Sequence, residues 1–295
     1  MQAGQMTRRI GDGRLEDYGR RVPGPVTFAP RPRPVEGARA RWSQRRSAAV
    51  EALWGGGFTG PGGPQETLRL ASPMGLNSNA SLLLLGGGMG GPAETIVDNF
   101  GSWVASFEAD AELAQIAEQR RARHPVGKRM QVAGWDRENP SFGHHNAHHA
   151  MALEAARGAP LDRMLDAMAA ALRPHGHIVM TEMVADNAAP GEDREFAAWC
   201  RLENRAPALP RLDEVTSTLA RLHFDVRVVE DVSDRHVSET LAGWRAAVKS
   251  MARGPKPDTA AAAAFVNEAE LWLLRIRLMR RFGFRLVRWH AVGAA

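Results

Sequence analysis

The residues of this 295-residue chain that could do chemistry gather around one glycine cluster. Ser81 to Leu85 is a continuous apolar run, and it ends in Gly86-Gly87-Gly88-Met89-Gly90-Gly91. An apolar strand that enters glycines and then a helix makes a phosphate or nucleotide cradle. The glycines let the backbone approach a ligand, and the helix N-terminus offers free N–H groups. Gly86, Gly88 and Gly91 also satisfy the spacing G-x-G-x-x-G, a weak signal by itself, because a tight strand-to-helix turn without a ligand uses the same residues. The next run, Trp103 to Phe107, ends in Glu108. A carboxylate at the carboxyl end of the neighbouring strand accepts hydrogen bonds from both hydroxyls of a ribose. A strand-end Glu that is simply solvated is the plain alternative.

A second cluster is the histidine run Phe142-Gly143-His144-His145-Asn146-Ala147-His148-His149. On a helix, His144 with His148 and His145 with His149 would lie one turn apart, a spacing that can bind metal. No cysteine lies nearby, and a solvated or substrate-facing histidine loop is the favoured reading, with no metal expected.

The elements that must position these groups follow from periodicity. After helices near Ala38 to Trp54 and Gln65 to Leu70, strands and helices alternate, the pattern of a parallel sheet built from βαβ units. Strands are predicted at 81–85, 103–107, 130–133, 177–183, 224–229 and 284–290, with the fourth strand irregular. Helices are predicted at 92–100, 110–123, 161–172, 193–203, 212–222, 237–251 and 260–282.

The chain carries 38 Lys plus Arg against 33 Asp plus Glu, a net charge of +5 and a pI near 10.2. Eleven of those arginines fall between Arg8 and Arg46. Residues 1–38 mix Arg, Gly and Pro without apolar periodicity and read as a flexible basic arm. Such an arm suits a protein partner or an acidic surface; nucleic acid is disfavoured, since no stacking-aromatic or recognition motif accompanies it. Mean hydropathy is -0.32 and no apolar run reaches the length of a membrane span, so no transmembrane segment is expected. A single cysteine, Cys200, permits no internal disulfide, and the cytoplasm is the expected compartment.

Several segments together are similar to the class I S-adenosylmethionine-dependent methyltransferases. Leu82 to Gly91 resembles that family's first motif and Val104 to Glu108 its second. Leu172-Arg173-Pro174-His175-Gly176-His177-Ile178-Val179 resembles the turn into its fifth strand, and Phe224 to Ser233 its sixth strand and the turn after it. Trp54 to Leu70 resembles the lead-in of the small-molecule branch that includes phosphoethanolamine and related amine N-methyltransferases.

The resemblance implies an α/β, Rossmann-like, seven-stranded and mostly parallel sheet with helices on both faces. It implies a methyltransferase-like domain over 39–292, with lid helices in 39–73 and a helical cap over 236–282. The cofactor implied is S-adenosylmethionine, held by Gly86, Gly88, Gly90, Glu108 and, at the adenine, Asp136; a solvated turn is an equal reading of Asp136. His144, His148 and Glu182 are the substrate-side candidates, facing a small molecule or lipid head group, with methyl transfer expected at an amine.

The chain departs from the family's pattern in three places: Leu84 stands where the family carries an acid that meets the cofactor's amino group, His175 replaces a glycine in the turn before the fifth strand, and the run Phe142 to His149 stands where the family shows an acidic residue beside the methyl-transfer site. These departures keep a catalytically degenerate scaffold or regulatory subunit as the alternative. A nicotinamide-dependent oxidoreductase would use the same glycines, but the lead-in helices and the terminal strand argue against it.

Overall fold

The computed structural model describes residues 41–187 and 190–294. The expected basic arm, residues 1–38, lies outside the described residues.

Two short helices come first, α1 (Gln44–Trp54) and α2 (Gly63–Ala71). Then β1 (Ser81–Leu85), α3 (Gly91–Phe100), β2 (Trp103–Glu108), α4 (Ala111–Arg123) and β3 (Met130–Gly134) form the first half of the sheet. The second half comprises β4 (Ala147–Leu153), α5 (Leu161–Ala171), β5 (Leu172–Val184), α6 (Arg194–Glu203), α7 (Leu212–Arg221) and β6 (Phe224–Asp231). It closes with α8 (Ser233–Arg253), α9 (Thr259–Phe282) and β7 (Arg285–Gly293). The strand order is β3-β2-β1-β4-β5-β7-β6. All pairings are parallel except those of β7, which runs antiparallel between β5 and β6.

Local chemistry explains the boundaries that matter for the site. Four of the five residues of β1 are buried, as a central strand covered on both faces requires. Gly90, in the left-handed region at φ 103°, ends the glycine loop and starts α3, with Pro92 in the first turn. Asp110 caps α4 by accepting from the Glu112 and Leu113 N–H groups. One apolar cluster packs α5 and α7 against the sheet, and a second packs α3 against β1 on the other face. A third joins α1, α6 and α9 above the carboxyl ends of the strands. This third cluster makes α8 and α9 a helical cap, and Trp54 of α1 meets Trp272 of α9 edge to face at 4.9 Å between centroids.

The histidine run departs from the helical spacing considered above. It leads directly into a strand, so His148 and His149 are successive residues of β4 and point to opposite faces. The apolar residues Ala150, Met151 and Ala152 decide the matter, because they pair with β1 and β5 in the middle of the sheet. Among the described residues no group of three His, Cys, Asp or Glu side chains is arranged to hold a metal ion.

Candidate functional site

In a parallel sheet the ligand crevice lies at the carboxyl ends of the strands, where the strand order reverses. Here that point lies between β1 and β4, and the glycine loop occupies it. Gly86 has φ 72°, and a Cβ on it would come within 2.4 Å of the Leu153 carbonyl oxygen, so β1 and β4 can approach this closely only with glycine there. Gly88 has φ 58°, and a Cβ on it would meet the Thr59 side chain, which closes over the loop from the lead-in.

Glu108, at the tip of β2, turns towards this loop. The Gly88 N–H donates to its Oε2 at 2.9 Å and the Asp110 N–H to its Oε1 at 3.1 Å. Burial raises its pKa, with repulsion from Asp110 adding to the effect, while the two backbone bonds oppose it. A carboxylate offers about four lone-pair sites, so Glu108 keeps acceptor capacity for a diol.

Two cavities open at this end of the sheet. The first opens to solvent and spans about 800 Å3 between Gly86, Glu108, Trp135 and the residues Arg41 and Trp42 that precede α1. The Arg41 guanidinium and the Trp42 indole N–H both donate to Asp110 Oδ2, at 3.1 and 3.2 Å, and so tie the segment before α1 to the residues that follow β2. The second, about 770 Å3, lies under Phe58, Thr67, Arg235 and His236. The cavities share Thr59, Gly86, Leu153, Glu154 and Arg157, so they meet at the carboxyl end of β4.

Behind that seam lies a buried ionic network. Arg275 of α9 donates to Glu154 Oε1 at 2.7 Å, to Glu203 Oε1 at 2.7 Å and to His236 Nε2 at 3.0 Å. Arg205 donates to Glu203 at 3.0 Å and lies 3.5 Å from Glu182 Oε1. Burial pushes Glu154 up, but the Arg275 guanidinium, with that of Arg157, holds it well below the usual carboxylate range. His236 is pushed down to about 3 by burial and by Arg275, so it is neutral and accepts at Nε2. Glu182 is pushed up to about 7, first by burial and then by Glu154.

The glycine cradle and Glu108 come together as read from the sequence; the other candidates do not. Asp136 is exposed and accepts the Glu138 N–H at 2.9 Å in an Asx turn, while its neighbours Trp135 and Arg137 line the first cavity. His144 and His148 lie towards the amino end of β4, at the opposite pole of the sheet. His148 Nδ1 bonds the Ser81 N–H at the start of β1 at 3.0 Å, and its Nε2 meets Arg173 at 2.8 Å. Glu182 is buried beneath the seam rather than facing it, where it accepts the Ala156 N–H at 3.1 Å. The sequence reading missed Glu154, Arg157, Arg275 and His236. Glu154 had a signal: the apolar run Ala150 to Leu153 ends in Glu as the run before Glu108 does.

The topology just described is the fold of the class I S-adenosylmethionine-dependent methyltransferases. Among solved structures, the chain is similar to phosphoethanolamine N-methyltransferase 2 of Haemonchus contortus in complex with S-adenosylhomocysteine. The identity is 17% and the TM-score 0.74, over 87% of this chain and 59% of that one. It is also similar to geranyl diphosphate C-methyltransferase of Streptomyces coelicolor A3(2), with 15% identity and a TM-score of 0.58 over 78% and 77% of the two chains. A third likeness is to the [4+2]-cyclase SpnF, with 15% identity and a TM-score of 0.65 over 84% and 93%. The chain thus spans about three-fifths of the length of the Haemonchus enzyme. No protein-family model matches the chain, and no curated protein matches it in sequence.

Proposed function

We propose that the chain is an S-adenosylmethionine-dependent methyltransferase acting on a small molecule or a lipid head group, with an amine as the methyl acceptor. The observation that carries this reading is the meeting of two cavities at the carboxyl ends of β1 and β4. One has a ribose-type acceptor, Glu108, beside a glycine cradle; the other is roofed by the lead-in. The solved neighbours include an N-methyltransferase and a C-methyltransferase, each in complex with S-adenosylhomocysteine.

The cofactor supplies a methyl group already activated by a positive sulfur, so the chain's task is alignment and the exclusion of water. Gly86, Gly88 and Gly90 admit the ligand to the backbone, and Glu108 accepts from its ribose. Arg41 and Trp42, tied to Asp110, close the first cavity over it. No base needs to be assigned for an acceptor that arrives unprotonated. His236 is poorly suited to that task, since Arg275 occupies its Nε2 and its pKa is low.

One observation favours a second reading, a degenerate scaffold: Leu84 is fully buried and apolar at the position where the family carries an acid. Isothermal titration of the protein with S-adenosylmethionine and S-adenosylhomocysteine separates the two. Micromolar binding is expected of the enzyme; silence at millimolar ligand overturns the cofactor reading and leaves the scaffold.

A further inference from the structure

The seam between the cavities contains two unsatisfied charged atoms. Glu154 Oε2 is buried and has no hydrogen-bond partner among the described residues; the Arg205 guanidinium stands 3.9 Å from it. The Nε of Arg157 is likewise buried without a partner, and the only ion pair of Arg157 among the described residues is a loose one to Glu154 Oε1 at 3.7 Å. A buried charged group without a partner is costly, so such atoms call for an explanation. Both residues line both cavities.

The backbone adds an independent observation. Glu154 follows the last residue of β4 and has φ 46°, in the left-handed region that a side chain other than glycine or asparagine rarely occupies. Residues held there by their surroundings cluster at ligand-binding sites. What holds Glu154 is visible. Its N–H donates to the Thr181 carbonyl at 2.8 Å, and Arg275, anchored on Glu203 and His236, fixes its Oε1. The other oxygen is therefore presented in a fixed direction, as a carboxylate, because Arg275 and Arg157 keep it ionised.

An acceptor carboxylate and a donor guanidinium a few ångströms apart complement a zwitterion. We propose that Glu154 and Arg157 form a receptor for an α-amino-acid group, Glu154 taking the ammonium and Arg157 the carboxylate. The group can come from the methionine end of the cofactor or from an amino-acid methyl acceptor. This proposal rests on the methyltransferase reading, and the cofactor source would explain how the chain does without an acid at Leu84. In the β1–β4 register Leu84 pairs with Met151, and Glu154 lies three residues further along the chain, just past the end of β4.

The test is calorimetric and uses the intact chain. S-adenosylhomocysteine, its counterpart lacking the amino group and its counterpart lacking the carboxylate are titrated into the parent, Glu154→Gln and Arg157→Gln; glycine is titrated with and without S-adenosylhomocysteine. If the cofactor is the source, the parent prefers S-adenosylhomocysteine to either counterpart by roughly tenfold to a hundredfold. Glu154→Gln then abolishes only the preference over the deaminated ligand, and Arg157→Gln only that over the decarboxylated one.

If the acceptor is the source, those preferences are equal in all three proteins, and glycine binds the loaded parent but neither variant. A parent that shows no preference and no glycine binding overturns the proposal, as do variants that keep both; the parent result stands even if a variant fails to fold. A parent that ignores S-adenosylhomocysteine but binds glycine, with that binding lost in both variants, overturns the cofactor reading while supporting the receptor.

Discussion

Replacing Glu108 by Ala tests the geometry of the cofactor end, and the structure changes what to expect of it. From the sequence alone, a strand-end side chain facing a cleft makes little core contact, so the fold should survive its removal. In the structure Glu108 is 8% exposed and accepts from two backbone amides, Gly88 at 2.9 Å and Asp110 at 3.1 Å. An amide left buried without an acceptor costs about 1–3 kcal/mol. Part of that cost is offset because the burial of the carboxylate, which raises its pKa, also disappears. A net loss of about 1–3 kcal/mol follows, and at roughly 2–4 °C per kcal/mol for a domain of 150–250 residues the melting temperature falls by about 2–12 °C. Loss of both acceptors for the ribose removes about 1.5–3 kcal/mol of binding, or roughly tenfold to a hundredfold in affinity for S-adenosylhomocysteine. Thermal melts of both proteins with and without ligand read the two effects separately. Unchanged affinity in Glu108→Ala, with binding measurable in the parent, would refute the placement of the ribose.

Other expectations follow from the same packing. Arg275→Met strands the buried carboxylates of Glu154 and Glu203, and should cost about 3–5 kcal/mol in urea unfolding; a loss under about 1 kcal/mol would show that the network does not hold the cap. Gly86→Ala drives a Cβ towards the Leu153 carbonyl in a left-handed conformation that by itself costs about 1–2 kcal/mol, so both stability and ligand binding should fall. His149 is lowered from 6.5 to about 4 by burial, His177 and His148. Its contribution to stability is complete above pH 6.5 and is lost as pH falls towards 4, and His149→Asn should flatten that decline in acid-unfolding curves. Glu182 has the opposite sign: raised from 4.5 to about 7, its contribution is complete below pH 4.5 and lost as pH rises to 7. Relative to the parent, Glu182→Gln should therefore gain stability across that window.

The parts of the fold legible in the sequence were those with a local physical signature. Leu82 to Leu85 leading into glycines, and Val104 to Phe107 ending in Glu108, are written in consecutive residues, because a buried parallel strand must be apolar throughout. The fourth strand was obscured by His148 and His149, half-buried towards its amino end, where polar side chains are tolerated; only Ala150 to Ala152 form a continuous buried run. Glu182 on β5 and Asp136 in the turn after β3 fell at plausible positions along the chain, yet side-chain direction separated them from the crevice. The network around Glu154 joins residues from β4, α6, α8 and α9, up to 121 positions apart, and no spacing along the chain announces such a convergence.

The most direct test of the central claim is a crystal structure of the protein grown with S-adenosylhomocysteine. The ribose hydroxyls are expected within hydrogen-bonding distance of the Glu108 carboxylate, with the thioether over Gly86. Density for the ligand at any other place, or an unliganded crevice in crystals saturated with it, would contradict the account.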